Sequence, residues 1–287
     1  MARAIRATGL PGQPKGVRPL ITRPLTEADR AAAEAFCAQA PEYNIFLLSN
    51  LDKLGTEQDL VRYWGQFDEA GEFRAIIMRY HVLWYLHDAA GADLSALAGV
   101  VEEGAPPRVV LSDNVRTQPG LAARLKGYRL ERDFTERLRR LQPGEMKEAG
   151  GPPGGGTAAR LATDGDIDRL TRFYERAPEG TRRGRDSVRR SVGGGRRTYF
   201  VADGDEVTAA ALTTAELPGL TMVGGLWAAP EAGEGDLGAA LTAILRALLA
   251  EGRVACTVTH DQATATLCDR LGFQEVGPWR TVHLVRN

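Results

Sequence analysis

The sequence predicts a mixed α/β chain built from two similar halves, on three observations. Residues 220–273 read strand, glycine-rich loop, helix, strand, helix. The pair Thr26 and Asp29 recurs as Thr163 and Asp166, each time between a short apolar strand and a helical run. A stretch dominated by Gly and Pro, residues 143–156, lies between the two openings. A repeated opening and a repeated element order point to an internal duplication. The expected parts are a flexible tail at 1–16, a first domain at 17–142, a linker at 143–157 and a second domain at 158–287.

In the first half, residues 21–25 form a strand, and Thr26 caps a helix over 31–40 that ends before Pro41. Residues 44–54 make a second amphipathic helix stopped by Gly55. Residues 73–86 read as two strands meeting near 79–81. A helix at 94–102, a strand at 108–111, a short helix at 121–126 and a strand at 128–138 complete this half. No glycine loop opens a long helix here.

The second half starts with a strand at 159–162, a capped turn at Thr163 and a helix over 167–176. Residues 181–197 hold Arg182, Arg183, Arg185, Arg189, Arg190, Arg196 and Arg197. They are a patch for phosphate or an acidic substrate, or else a solvated helix whose turn is Gly193-Gly-Gly195. Strands at 198–202 and 206–214 meet at a Gly-Asp turn. Residues 220–227 are an apolar strand, and the loop Pro230-Glu-Ala-Gly-Glu-Gly-Asp-Leu-Gly238 opens a helix with apolar residues at Leu237, Leu241, Ile244, Leu245, Leu248 and Leu249. Gly252 stops it, 254–258 is a β-branched strand, 263–270 a helix and 280–285 the strand that closes the sheet. A glycine loop feeding a helix N-terminus makes an anion site, because unbonded N–H groups and the helix dipole converge there.

A formal net charge of −1 gives no field toward nucleic acid or anionic membrane. No apolar run approaches the roughly 18 residues of a membrane span. The basic segment 1–19 lacks an apolar core and so is no secretory signal; it reads as a flexible tail or an Arg-containing transit peptide. Cys37, Cys256 and Cys268 are odd in number and widely spaced, which suits a reducing cytoplasm and gives no metal-type pairing. Gly233, Gly235 and Gly238 match a dinucleotide fingerprint, but that fingerprint belongs after the first strand of a βαβ array rather than near the end of a chain.

The segment Asp261-Gln-Ala-Thr-Ala-Thr-Leu-Cys-Asp-Arg-Leu-Gly-Phe-Gln-Glu-Val-Gly277, following the strand, glycine loop and helix at 220–251, resembles the GCN5-related N-acetyltransferase (GNAT) superfamily. Many members carry Asn-x-Ala-x-x-x-Tyr-x-x-x-Gly-Phe at this place. Arg-Pro-Leu-Thr-x-x-Asp at 23–29 is also how many GNAT domains begin. The resemblance implies a tandem of GNAT-like domains with a degenerate N-terminal half, each domain a mixed, mostly antiparallel sheet flanked by helices. It implies an acyl-CoA-dependent N-acyltransferase, with acetyl-CoA or another acyl-CoA as co-substrate and no metal. The acceptor would be a small-molecule amine or amino-acid-like compound, and the protein a monomer or homodimer. The co-substrate would lie in a splay between 220–227 and 254–259. Its contacts would come from Leu226, Trp227, Gly233, Glu234, Gly235, Asp236, Leu237, Gly238 and Asp261.

The chain departs from the superfamily pattern in two places. Asp236 stands where the loop usually has its first glycine, and Glu231 and Glu234 add two more carboxylates beside a pyrophosphate site. Asp236 also suits an N-cap. Cys268 stands where a tyrosine often protonates the leaving thiolate. Its readings are a proton donor, a nucleophile or a buried structural thiol. Gly224-Gly225 allows either close ligand approach or a packing bulge. For the base, His260 and Glu216 are the candidates, with a surface role as the alternative for His260. The second function class is a GNAT-fold binding or regulatory protein that does not turn over acyl-CoA, which the acidic loop and Cys268 favour; the intact strand–loop–helix order favours the enzyme.

Overall fold

The computed structural model describes residues 20–104, 106–114, 120–147, 158–193, 196–233 and 235–287. The expected tail at 1–16, residues 148–157 of the Gly/Pro stretch, Gly194-Gly195 and Glu234 lie outside these residues.

The chain forms two compact units, one of residues 1–136 with 278–287, the other of residues 137–277. In chain order the first contains β1 (Ile21–Pro24), a 3-10 turn (Glu27–Asp29), α1 (Arg30–Cys37), α2 (Ile45–Leu54), β2 (Glu57–Gln58), β3 (Val61–Phe67), β4 (Phe73–Tyr80), β5 (Leu83–Asp88), α3 (Leu94–Glu103), β6 (Arg108–Asn114), α4 (Gly120–Arg124) and most of β7 (Tyr128–Leu141). The second contains β8 (Arg160–Leu161), a 3-10 turn (Asp164–Asp166), α5 (Ile167–Glu175), α6 (Arg185–Gly193), β9 (Thr198–Asp203), β10 (Glu206–Leu217), β11 (Leu220–Ala228), α7 (Asp236–Ala250), β12 (Val254–Thr259), α8 (Gln262–Leu271) and the start of β13 (Gln274–Arg286).

The units part elsewhere than composition suggests. The last five residues of β7 pair antiparallel with β12, Leu141 opposite Ala255 and Arg137 opposite Thr259. The end of β13 pairs antiparallel with β6, Trp279 opposite Asn114 and Val285 opposite Arg108. The strand expected to close the second half therefore belongs to the first unit. Gly and Pro mark where the ladder stops at residue 142, not where backbone pairing changes unit.

Within each unit the element order repeats. In the first, β1, β3, β4, β5, β6 and β13 lie side by side, with β5 and β6 parallel over Leu83–Leu86 and the other pairs antiparallel. In the second, β8, β9, β10, β11, β12 and β7 do the same, with β11 and β12 parallel. The duplication extends to side chains. Arg23 grips Asp29 at 2.7 and 2.8 Å and lies over the Phe67 ring at 4.3 Å. Arg160 bonds Asp166 at 2.8 Å and lies over Phe200, also at 4.3 Å. Both Thr–Asp pairs are closed capping boxes, as their spacing predicts.

The second core fixes the helix that follows the glycine loop. Leu241, Ile244, Leu245 and Leu248 of α7 are fully buried against Val223, Ala211 and Ala255. Burying each such side chain contributes about 1.5–3 kcal/mol, enough to fix the helix on the sheet.

Helix α8 ends at Gly272 with φ +94°, and a Cβ there would lie 2.6 Å from the Glu145 carbonyl oxygen. Gly272→Ala should therefore cost about 2 kcal/mol or more, combining left-handed strain with a backbone collision that no rotamer relieves. A thermal melt checks this; a Tm loss under about 2 °C would contradict it.

Candidate functional site

The ladder between β11 and β12 runs only from Leu220 opposite Val254 to Val223 opposite Thr257. Beyond it β11 continues to Ala228 and β12 to Thr259 without pairing each other. The two parallel strands thus separate at their C-terminal ends. At that point β11 carries one residue more than β10, since Ala210 faces Trp227 while Leu212 faces Gly224. Gly225 takes φ +58°, and a Cβ on it would meet Leu212 Cγ at 2.8 Å and Tyr174 Oη at 3.2 Å. Tyr174 donates its hydroxyl to the Gly225 carbonyl at 2.8 Å. Full burial raises the phenol's pKa, so Tyr174 acts here as a neutral donor. The two readings of Gly224-Gly225 therefore merge: the pair forms a bulge, and that bulge borders a cleft.

Gly224, Gly225 and Leu226 line the cleft on the β11 side, and Val258, His260 and Thr264 on the β12 side. Gly180, Thr181 and Arg183, from the turn between α5 and α6, complete it. A depression in the first unit, beside Arg23, Asp29 and Phe67, is a weaker candidate, because Arg23 is already committed to Asp29 and the Phe67 ring.

The loop 229–235 leads into α7 with Gly235 as N-cap at φ +104° and no side-chain cap. Leu237 and Gly238 fall in the first turn, where a helix offers its N–H groups no internal acceptor. Asp236 turns back over the loop, accepting the Gly233 N–H at 3.0 Å and the Thr208 hydroxyl at 2.7 Å. It latches the loop to β10 and spends its charge on those donors. Glu231 is paired with Arg176, whose hydrogen bond holds its pKa below the usual value. Two of the three carboxylates that burden the loop on paper are thus engaged by neighbours, and Glu234 is outside the described residues.

The structure brings some of the sequence-chosen residues to the cleft and removes others. His260 lines it, with Nε2 at 3.7 Å from Asp261. Leu226 lines it too, whereas Trp227 packs its ring on Phe173 at 4.3 Å between centroids. Asp261 caps α8, accepting the Thr264 N–H and hydroxyl, each at 2.8 Å. Leu237 packs at the margin of the core, and Gly238 faces Leu267.

Cys268 is not in the cleft. Its side chain is fully buried in the core beneath α7, and burial pushes its pKa up to about 12. A thiol so placed is a structural apolar group, neither acid nor nucleophile. Glu216 is also misplaced. It pairs opposite Thr221, at the start of β11, whereas the cleft is at the strand's far end. It is buried and held by Thr213 at 2.6 Å, Arg253 at 3.3 Å and Arg197 at 3.5 Å. Sequence distance put it near the strand but could not tell which end it would occupy. Arg183, which lines the cleft, and Tyr174, buried behind the bulge it holds, were missed. The only signal was the arginine run, in which Arg183 looks like its neighbours.

No group of three or more metal-ligating side chains is found among the described residues. No protein-family model and no curated protein sequence matches the chain. Solved structures do match. A GCN5-related N-acetyltransferase from Sphaerobacter thermophilus aligns with a TM-score of 0.63 over 93% of this chain and 96% of its own, at 16% identity. A GCN5-related N-acetyltransferase-like protein from Streptococcus suis gives 0.59 over 91% and 100%, at 13% identity. A tandem GNAT protein from the clavulanic acid biosynthesis pathway gives 0.57 over 92% and 98%, at 15% identity. The repeated element order within the chain and these likenesses agree: the chain has the GCN5-related N-acetyltransferase fold, in a tandem arrangement.

Proposed function

We propose that this chain is an acyl-CoA-dependent N-acyltransferase whose second unit holds the co-substrate, acetyl-CoA being the simplest. One observation carries the reading: a parallel strand pair that separates after four residues, beside a glycine bulge and an uncapped helix N-terminus. That combination offers a slot for an extended ligand, with amide donors at one end for a diphosphate and a backbone gap at the other for a thioester. The N–H groups of Leu237 and Gly238, with Gly233 and Gly235 shaping the turn, would hold the diphosphate. The β11 backbone at Leu226 and Trp227 would hold the acyl arm.

Acyl transfer to an amine needs positioning, a base and oxyanion donors. His260, at the cleft edge, is the base we assign for the acceptor ammonium. The bulge at Gly225 supplies the backbone that faces the developing oxyanion. Neither Cys268 nor Glu216 takes part. The acceptor is a small amine or an amino-acid-like compound, and we place the protein in the cytoplasm as a monomer or homodimer. No described helix is long and apolar enough to cross a membrane.

A second reading, a binding protein without turnover, is favoured by the latch at Asp236, which already occupies one loop amide. Thermal-shift titration with CoA, dephospho-CoA and acetyl-CoA tests the first. Ligand at about 100 times its Kd adds roughly 2.7 kcal/mol, which raises the melting point by several degrees. No shift at millimolar ligand would overturn the acyl-CoA reading. A shift with acetyl-CoA but no CoA release across a panel of amines would favour the binding protein.

A further inference from the structure

Arg183 has a charge that the fold does not use. Its Nε is buried and without a hydrogen-bond partner, and no carboxylate is paired with its guanidinium among the described residues. Its neighbours in sequence are settled differently. Arg182 bonds the Ala177 carbonyl, Arg185 reaches Asp168, and Arg197 grips Glu251 at 2.6 and 2.8 Å. Around Arg183, burial lowers the pKa most, Tyr174 raises it, and the like charge of Arg196 lowers it again. The residue is half-buried, and a cation partly withdrawn from water without a counter-charge carries a cost that a fold keeps where a ligand repays it.

Its position says what ligand. The guanidinium lies 5.9 Å from the centre of the Tyr174 ring, within cation–π range, and the same tyrosine's hydroxyl holds the Gly225 carbonyl. Arg183 and the bulge are therefore coupled through one rigid side chain and open on the same cleft as His260. The lining of this cleft includes no described residue of the loop 229–235 or of α7, where phosphates would be held. A planar fork of N–H donors matches a planar carboxylate.

We propose that Arg183 is the receptor for a carboxylate at the reacting end of the cleft's ligand, borne either on the acyl group or on the amine acceptor. This rests on the acyl-CoA reading for its two sources, but not for its test. Binding is measured calorimetrically on the full chain, wild type against Arg183→Met and Arg183→Lys. The first arm uses CoA, acetyl-CoA and succinyl-CoA. The second uses L-amino acids against their decarboxylated amines, with and without CoA.

If the acyl group carries the carboxylate, succinyl-CoA binds about tenfold or more tighter than acetyl-CoA, and Arg183→Met erases the difference while leaving CoA affinity unchanged. If the acceptor carries it, the two thioesters bind alike, and an amino acid binds where its amine does not, again only with Arg183. Arg183→Lys should keep part of the preference. The ligand-free melting point of Arg183→Met should equal or exceed wild type, because a half-buried charge without a carboxylate partner is removed. A lower melting point together with carboxylate-blind binding would make Arg183 a structural residue and overturn the proposal. So would loss of CoA affinity itself in Arg183→Met, which would assign the arginine to the co-substrate's phosphates. Absence of CoA binding would sink the acyl-CoA reading, yet the CoA-free amino-acid arm would still decide on Arg183.

Discussion

Replacing Gly225 by alanine is expected to lower acyl transfer about a hundredfold while leaving the second unit folded. Two effects act together. The residue sits at φ +58°, where an L side chain costs about 1 kcal/mol. The new methyl would also press on Leu212 Cγ at 2.8 Å and on the Tyr174 hydroxyl at 3.2 Å. Leu212 is fully packed and Tyr174 is fixed by its bond to the Gly225 carbonyl, so the strand is the part that must move. Shifting it re-aims the backbone proposed to face the reacting carbonyl, and losing one preorganised donor of that kind typically costs about 10²–10³ in rate. Affinity for CoA should change much less, because the proposed phosphate contacts lie on the loop and α7 rather than at the bulge. Stopped assays of CoA release, paired with a CoA titration, read both. Activity within about threefold of wild type would mean that the bulge is only packing. Equal losses in CoA affinity and turnover would mean that the slot has collapsed as a whole.

The bulge also shows how far the residues alone carry. Gly224-Gly225 and the strand–loop–helix order mark a site because glycine permits what other residues forbid, and the structure places that permission where two parallel strands part. The capping boxes at Thr26 and Thr163 were legible for the same reason, since a short-range hydrogen-bond pattern fixes local geometry. What could not be read depended on non-local contact. Strand β3 was missed because Gly65 and Gln66 break its apolar pattern. Gln66 is nevertheless fully buried, bonding Thr22 and both backbone groups of Asp93. Cys268 and Glu216 were placed by distance along the chain, and each proved to face a direction set by packing elsewhere. Arg183 became distinct from the arginines around it only when its place in the cleft and the partners of Arg182, Arg185 and Arg197 were known.

The duplicated Arg–Thr–Asp cluster makes the second large effect predictable as a matched pair. Asp166→Ala should destabilise its unit by about 3 kcal/mol, and Asp29→Ala by about half as much. Most of the chemistry is shared: each carboxylate accepts the threonine N–H at 2.9 Å, the threonine hydroxyl and an arginine, and Asp166 has a second arginine, Arg169, at 3.4 Å. The environment differs. The Asp166 side chain is 4% exposed and that of Asp29 is 15% exposed. Removing the more buried carboxylate leaves its donors with less water to turn to, and charged hydrogen bonds lost in that setting cost about 1.5–3 kcal/mol. Protonation should act as a milder version of the same change. Arg23's hydrogen bond holds the Asp29 pKa well below 3.8. Burial raises that of Asp166, but bonds from Thr163 and Arg160 outweigh it, and the net shift is also downward. A carboxylate with a depressed folded-state pKa stabilises above its unfolded value and loses that contribution as pH falls through the folded one. Melting points recorded from pH 7 down to about 2 should therefore fall less steeply below pH 4 in Asp29→Asn and Asp166→Asn than in wild type. Parallel slopes would show that other groups govern acid unfolding. A larger loss for Asp29→Ala than for Asp166→Ala would show that neither burial nor the second arginine sets the strength of this cluster.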